Sequence, residues 1–428
     1  MKKILVFGAG LTAYYAIKYL ADHGPARQWE ITVADANQET LNACKNEFPG
    51  IHIAKVDVFD AEKRAAVIKP CNVVISLLPN YFHVLVARDC IDFGVHLVTP
   101  SYVTADMNKL NNETISKNII ILNELGLDPG IDHLSSMNII NRLKEQGATI
   151  KSYKSYCGGL ISRKNCDNPW EYKFTWNPYN VIRAGSDGAM NLENNQLRYV
   201  PYHRLFRETK IIEANNESFE MYLNRDSTRY ISLYGLDQVP TFLRGTLRYP
   251  GFCKKWNSLV DAGLTSDKIE MTFANDISWD KFLNGFSIEK SDDGDTQKAL
   301  EWLFKDAGDI ELKTATPAAN LQKLLEKKWK MNPADKDRVV MLHEIEYEKD
   351  GRKELLKSLM DLEGEDARKS AMAKTVGLPL AIAAGLIADG IIKTFGVILP
   401  VISEVYRPVL AALSSEDIEF KEEISVIS

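Results

Sequence analysis

Along the first 122 residues, short β-branched apolar runs take turns with stretches whose apolar positions recur at helical spacing. The runs Ile4–Phe7, Ile31–Ala34, Ile51–Lys55, Val73–Leu77, His96–Val98 and Ile119–Leu122 predict strands, and Leu11–Asp22 and Asn37–Phe48 predict helices between them. Strand and helix in alternation predict a parallel sheet covered on both faces, the doubly wound α/β architecture. Beyond Asp128 the texture changes. Polar and apolar positions alternate over Thr149–Tyr156 and Lys210–Tyr222, which predicts a more antiparallel sheet and so a second, α+β domain. From about Gly251 to Met331 helical stretches dominate (Gln297–Asp306, Ala318–Lys330), and a long helix rich in small residues is predicted over Ala367–Asp389.

A chain of 428 residues exceeds one comfortable core, so two or three domains are expected. With 45% apolar and 26% charged residues the composition is that of an ordinary globular protein. The net charge of -6 comes without a Lys or Arg track, so nucleic acid is not an expected partner. Six cysteines without CxxC pairing suggest a reduced, cytoplasmic setting. The opening Lys2-Lys3 and apolar run is interrupted by Gly8, Gly10, Asp22 and His23, unlike a signal peptide. The apolar run Val376–Ile402 could be mistaken for a membrane span, but Asp389, Lys393, Gly and Pro interrupt it; a buried helix followed by a further apolar segment is expected, and no membrane. The seven histidines show no HxxxH spacing with a third ligand, so no metal site is expected.

Candidate chemistry begins at the first predicted strand, which runs into Gly8-Ala9-Gly10-Leu11-Thr12-Ala13 and then a helix. Gly8 permits a tight turn, Gly10 removes the Cβ that would block a pyrophosphate, and Ala13 lets helix and strand pack closely. The helix-start N–H groups would face the diphosphate. Asp35 closes the next strand, where a carboxylate accepts from the ribose hydroxyls and repels a 2'-phosphate; it favours NAD(H) within an NAD(P)H site, and the competing reading is an N-cap. Asp57 ends the third strand, either near the adenine or as a plain turn residue. Ser76–Pro79 closes the fourth, where Leu77 and Leu78 either line the nicotinamide half or merely end the strand. Thr99–Tyr102 and Asn123–His133 each follow a strand of the same sheet, at the carboxyl edge where such sheets bind ligands.

The motifs LDPGIDHLSSM from Leu127, SYCGGL from Ser155, DNPWEYKFTW from Asp167, LNRDST from Leu223, RGTLRYPGF from Arg244 and TVGLPLAIAAGLIADG from Thr375 together resemble the saccharopine reductase family, over Met1 to about Leu410. The resemblance implies a Rossmann domain over residues 1–125 completed by 385–428, and a substrate and dimerisation domain over 126–384 with a helical insertion at about 251–335. It implies a homodimer and a small amino-acid substrate. It also implies reduction of an amino-acid imine by a nicotinamide hydride, joining glutamate to 2-aminoadipate 6-semialdehyde as saccharopine, or the reverse. By motif, Asp128 and Tyr102 would bind substrate and move protons, Ser101 would contact substrate, and Arg225 would clamp a carboxylate; Thr246, Leu247 and Arg248 would complete the pocket, and Trp176 and Asn177 would lie near the cofactor. Cys157 reads as pocket lining or as a packing residue beside Gly158-Gly159, and His133 as a helix-start residue or a proton carrier. Relatives on this scaffold reduce other imines, carboxynorspermidine's among them, and a non-catalytic nucleotide sensor is the reading from another class. NADP-using members carry polar or basic residues after the second strand, where this chain has Asp35-Ala36-Asn37.

Overall fold

The computed structural model describes residues 1–428 apart from 273–276, 287, 289–290, 313–314 and 428. The chain forms two units, Met1–Gln146 with Arg368–Glu419, and Gly147–Ala367 with Phe420–Ser428. The first holds a parallel sheet with its strands in the order Gly396–Ile398, Ile120–Leu122, His96–Val98, Val73–Ser76, Lys2–Phe7, Trp29–Asp35 and His52–Lys55. Strand order reverses between Lys2–Phe7 and Val73–Ser76, which makes their carboxyl ends the switch point at which such sheets bind ligands. One face is sealed by Leu5, Phe7, Val74, Val86, Leu97 and Ile121.

Six of these strands match the expected runs to within two residues, and the seventh does not. Gly396–Ile398 is too short to show a period, and it is a strand because it pairs with Ile120–Leu122. The first helix runs over Tyr14–Arg27 rather than starting at Leu11, so Leu11, Thr12 and Ala13 belong to the turn, and it continues through Pro25. The unit boundaries also differ from those expected. The helix Ile131–Glu145 packs against Ser403–Ser414, which carries the boundary from 125 to 146. The returning segment starts at 368 rather than 385, because the whole helix Ala371–Ala388 packs on Tyr14–Arg27. It is long and apolar enough to cross a membrane, and it is mostly enclosed by protein. Its small residues explain the fit: a Cβ on Gly377 would stand 2.8 Å from the Ala16 nitrogen, and one on Gly385 would overlap the Trp29 ring. The last strand, Lys421–Val426, pairs with Arg352–Glu363 in the second unit instead of completing the first.

The second unit's sheet runs Lys210–Ala214, Glu217–Leu223, Thr241–Arg248, Thr149–Ile161, Asp337–Lys349, Arg352–Glu363 and Lys421–Val426, antiparallel except where Thr241–Arg248 meets Thr149–Ile161. The expected strand segment Lys210–Tyr222 is a hairpin, because Asn215 and Asn216 take φ of 51° and 58° and reverse the chain. Asn194-Asn195 and Asp350-Gly351 do the same elsewhere, the Asn and Asp chemistry that two-residue hairpins demand. The segment 251–335 is helical as expected, with Phe252–Asp261, Trp279–Asn284, Gly294–Phe304 and Pro317–Lys328 among its described residues. Trp170, Tyr172 and Phe174 pack with Phe252, Trp256 and Trp329 of this segment in the core of the second unit, with Trp170 and Trp329 ring centroids 5.3 Å apart. Replacing Gly385 by Val forces a side chain into the Trp29 ring; a loss of about 2 kcal/mol and a Tm lowered by about 5 °C are expected in differential scanning calorimetry.

Candidate functional site

At the switch point Phe7 ends its strand and Gly8 turns the chain with φ of 98°. The Gly8 N–H donates to the Ala34 carbonyl at 2.8 Å and the Leu77 N–H donates to the Phe7 carbonyl at 2.8 Å. A Cβ on Gly8 would lie 3.1 Å from the Leu77 carbonyl oxygen, a tight contact, and at its φ any side chain would be strained, so glycine suits this turn on both counts. Gly10 is different: nothing lies within 4 Å of where its Cβ would stand. That open space beside a turn leading into a helix is what a diphosphate needs, and the residues present fit a dinucleotide. Ala13 is buried, while Leu11 is 63% exposed.

Asp35 faces this turn. Its Oδ2 accepts the Ala9 N–H at 2.8 Å and its Oδ1 the Asn37 N–H at 2.8 Å. The N-cap of the next helix is Asn37, whose Oδ1 accepts from Glu39 and Thr40, so the capping reading of Asp35 gives way. Asp57 takes a turn role, accepting the Phe59 N–H at 2.9 Å. Leu77 and Leu78 are half-buried at the mouth of the fourth strand.

Ser101, Tyr102 and Asp128 lie at the same carboxyl edge and are half-buried. Their two loops are bound to each other by Glu124, a residue the motif reading passed over. Its N–H donates to the Ser101 carbonyl at 3.1 Å, and its fully enclosed carboxylate accepts the Val103 N–H at 2.9 Å. The other carboxylate oxygen lies 3.1 Å from Nε2 of His133, so His133 is a buried partner of Glu124 on the helix that follows. Around Asp128 the backbone folds tightly on itself: the Gly126 N–H donates to the Pro129 carbonyl at 2.8 Å and the Gly130 N–H to the Asp132 carboxylate at 2.6 Å. A Cβ on Gly130 would overlap the Gly126 backbone.

In the second unit Cys157 lies on the strand Thr149–Ile161, in register with Thr246. A Cβ on the adjacent Gly158 would stand 2.8 Å from the Leu247 carbonyl oxygen, so the two strands press closely together beside Cys157. Leu247 is fully buried in the core of the second unit. Asn177 is an exposed helix cap, accepting the Asn180 N–H at 3.3 Å, and Trp176 beside it is half-buried. Arg225 is exposed, at φ of 49°, with its carbonyl accepting the Met190 N–H at 2.9 Å.

Arg248 is the unusual group. It is 4% exposed, yet among the described residues no carboxylate pairs with it. Its Nη1 donates to the Leu247 carbonyl at 2.8 Å, its Nη2 to the Tyr222 hydroxyl at 3.3 Å, and its Nε has no partner. Glu220 stands directly opposite in register, but its carboxylate is taken by the Gly251 and Cys253 N–H groups at 3.1 and 3.0 Å. The guanidinium lies 5.1 Å from the Tyr172 ring centre, 5.7 Å from Tyr222 and 5.5 Å from Phe252. Burial pushes both phenols up, so they stay neutral. A buried cation without an anion beside it is able to accept a carboxylate through charge-assisted hydrogen bonds. Among the described residues no group of three or more His, Cys, Asp or Glu side chains is disposed to hold a metal ion.

Residues 4–122 match the family model described as the saccharopine dehydrogenase NADP binding domain, and residues 126–418 that of the saccharopine dehydrogenase C-terminal domain. The chain is 34% identical to the mitochondrial alpha-aminoadipic semialdehyde synthase of Rattus norvegicus over 99% of its own length, and spans 48%, about half, of that relative. It is 31% identical to the NADP(+), L-glutamate-forming saccharopine dehydrogenase of Schizosaccharomyces pombe, covering 99% of both chains. The solved apo structure of the L-glutamate-forming saccharopine dehydrogenase from Saccharomyces cerevisiae superposes with a TM-score of 0.88 at 30% identity, over 99% of this chain and 100% of that one. These descriptions agree with a nicotinamide dinucleotide on the first unit and carry no sign of the NAD(H) preference expected from Asp35.

The two glycines of the turn separate fold from ligand. Gly10→Val places its side chain in open space, so Tm is expected to hold while the Kd for NAD(P)H in a fluorescence titration rises at least about tenfold. Gly8→Val, strained at positive φ, is expected to lower Tm as well.

Proposed function

We propose, because the chain belongs to the saccharopine dehydrogenase family, that it moves a hydride between NAD(P)H and the C–N bond of saccharopine, interconverting that amine with glutamate and 2-aminoadipate 6-semialdehyde. The observation that carries the substrate class is Arg248, a buried guanidinium without a carboxylate, since saccharopine offers three. The bound dinucleotide supplies or accepts the hydride. The chain's own residues bind, orient and move protons.

In the oxidative direction the secondary ammonium first loses a proton, and the carbon beside the nitrogen then gives up a hydride to leave a protonated imine. Water adds to the imine carbon with loss of a proton, and the carbinolamine collapses to aldehyde and amine as a proton passes from its hydroxyl to its nitrogen. Asp128 and Tyr102, half-buried on the loops that Glu124 joins, are the proton carriers of this reading, and Ser101 holds substrate beside them. Cys157, Thr246 and Arg225 serve substrate binding. A cytoplasmic homodimer belongs to the same reading, and sedimentation would test its stoichiometry.

Cofactor choice rests on Asp35. Its carboxylate, fixed by the Ala9 and Asn37 N–H groups, would face a 2'-phosphate with repulsion, and Ala36 and Asn37 bring no positive charge to offset it. NAD(H) is the preferred partner on this ground, in contrast to the relatives named for NADP(+). The ratio of kcat/KM for NADH over NADPH is expected to exceed about ten and to fall towards one in Asp35→Ala; a ratio below one in the unaltered protein would remove Asp35 from the ribose.

Purified protein given saccharopine and dinucleotide is expected to generate absorbance at 340 nm, and to do so far more slowly with carboxynorspermidine. Binding of dinucleotide without turnover of either would favour a sensor. Arg248→Met is expected to raise the KM for saccharopine about 100-fold with the dinucleotide KM unchanged.

A further inference from the structure

The loops at the carboxyl ends of Val73–Ser76 and His96–Val98 are joined by a side chain that the chemistry above does not use. His83 opens the helix His83–Phe93 and is 3% exposed. Its Nδ1 lies 2.9 Å from the Ser76 hydroxyl, and its Nε2 lies 2.8 Å from the Ser101 hydroxyl and 3.1 Å from that of Thr99. Ser76 and Thr99 are fully enclosed, whereas Ser101 is half-buried. The network thus has a closed end on the strand bordering the switch point and an open end at a proposed substrate contact. Burial pushes the imidazole down to about 4, so the ring is neutral at physiological pH and offers one N–H and one lone pair. Backbone bonds hold Ser101 on either side, its N–H 3.4 Å from the Thr99 hydroxyl and its carbonyl accepting from Glu124 at 3.1 Å. Its hydroxyl, by contrast, is a rotor, and the His83 ring nitrogen lies within hydrogen-bond distance of it at 2.8 Å.

We propose that His83 is a positioning residue: it sets the direction of the Ser101 hydroxyl, and with it the hydrogen bond that Ser101 offers the amino-acid substrate. The proposal rests on the saccharopine dehydrogenase reading for its substrate and on the distances above for its geometry. A side chain acting only through Ser101 has no effect once Ser101 is gone, and a side chain that merely fills the core does. Nor would a packing residue discriminate between the two substrates of one enzyme.

The test is a double-mutant cycle with His83→Leu and Ser101→Ala in the full-length protein, with His83→Gln as the conservative variant that keeps an amide within reach of Ser101. His83→Leu is expected to lower kcat/KM for saccharopine about tenfold through the saccharopine KM, leaving the dinucleotide KM unchanged. His83→Gln is expected to recover most of that loss, and the double variant to match Ser101→Ala within about twofold. Multiplying effects, or a His83→Leu enzyme with unaltered saccharopine KM, would overturn the proposal. A second readout does not depend on turnover: in protein carrying 15N-labelled histidine, the Nε2 resonance of His83 is expected to move in Ser101→Ala while the ring stays neutral down to about pH 5. An Nε2 resonance blind to Ser101 sinks the proposal even if saccharopine proves not to be the substrate, and absence of saccharopine turnover in the unaltered enzyme sinks only the functional reading.

Discussion

Backbone pressed against backbone too closely for a Cβ is the constraint on which both units rest. Gly8 lies against the Leu77 carbonyl, Gly130 against Gly126, Gly158 against Leu247, and Gly377 against Thr12 and Ala16. Each contact sets a distance that no side-chain repacking can relax, since the atoms involved belong to the main chain. The first two shape loops at the carboxyl edge of the parallel sheet, the third brings Cys157 level with Thr246, and the fourth seats the apolar helix Ala371–Ala388 on the helix that follows the glycine turn. Chemistry in this protein is therefore placed by glycine before it is supplied by any polar residue.

The buried cations of this protein are not all balanced in the same way. Lys173, almost fully buried, is held by Asp335 and Asp167 at 2.7 Å each, and Arg64 by Asp89 at 2.6 Å with the Val58 carbonyl also accepting from it. Those cations carry their own anions. Arg248 is just as deeply buried, but it has rings, a phenol and a carbonyl where a carboxylate would be expected. Aromatic faces ease the isolation of a guanidinium without neutralising it, so the group keeps its charge. A similar economy governs the carboxyl-edge loops of the first unit, where the enclosed carboxylate of Glu124 and the neutral ring of His83 hold neighbouring groups and leave Ser101, Tyr102 and Asp128 half-buried.

Much of this was legible along the chain. Six strands of the first sheet declare themselves by β-branched runs, the glycine turn by its place between strand and helix, and the motifs around Asp128, Cys157 and Arg248 by family likeness. Less legible were features that depend on a distant partner. In sequence Asp35 reads either as a ribose ligand or as an N-cap, and the structure gives the cap to Asn37 and turns Asp35 to the Ala9 N–H. Leu247 and Arg248 stand side by side in one motif, but Leu247 is a core residue, whereas Arg248 is a buried cation to which no carboxylate among the described residues is bonded. His83 carries no motif; its role arises because Ser76, Thr99 and Ser101, from two loops, meet around its ring.

By itself the sequence determined the local terms: strand and helix periods, the glycines that tolerate positive φ, the Asn and Asp pairs that reverse hairpins, and the residue types able to grip a dinucleotide and a carboxylate. These depend on near neighbours, so a one-dimensional pattern records them. Only the tertiary structure decided which polar groups find partners, where one unit ends and the other begins, and which arginine is buried without an anion. Each of these is settled by residues tens to hundreds of positions away, and no local pattern carries that information.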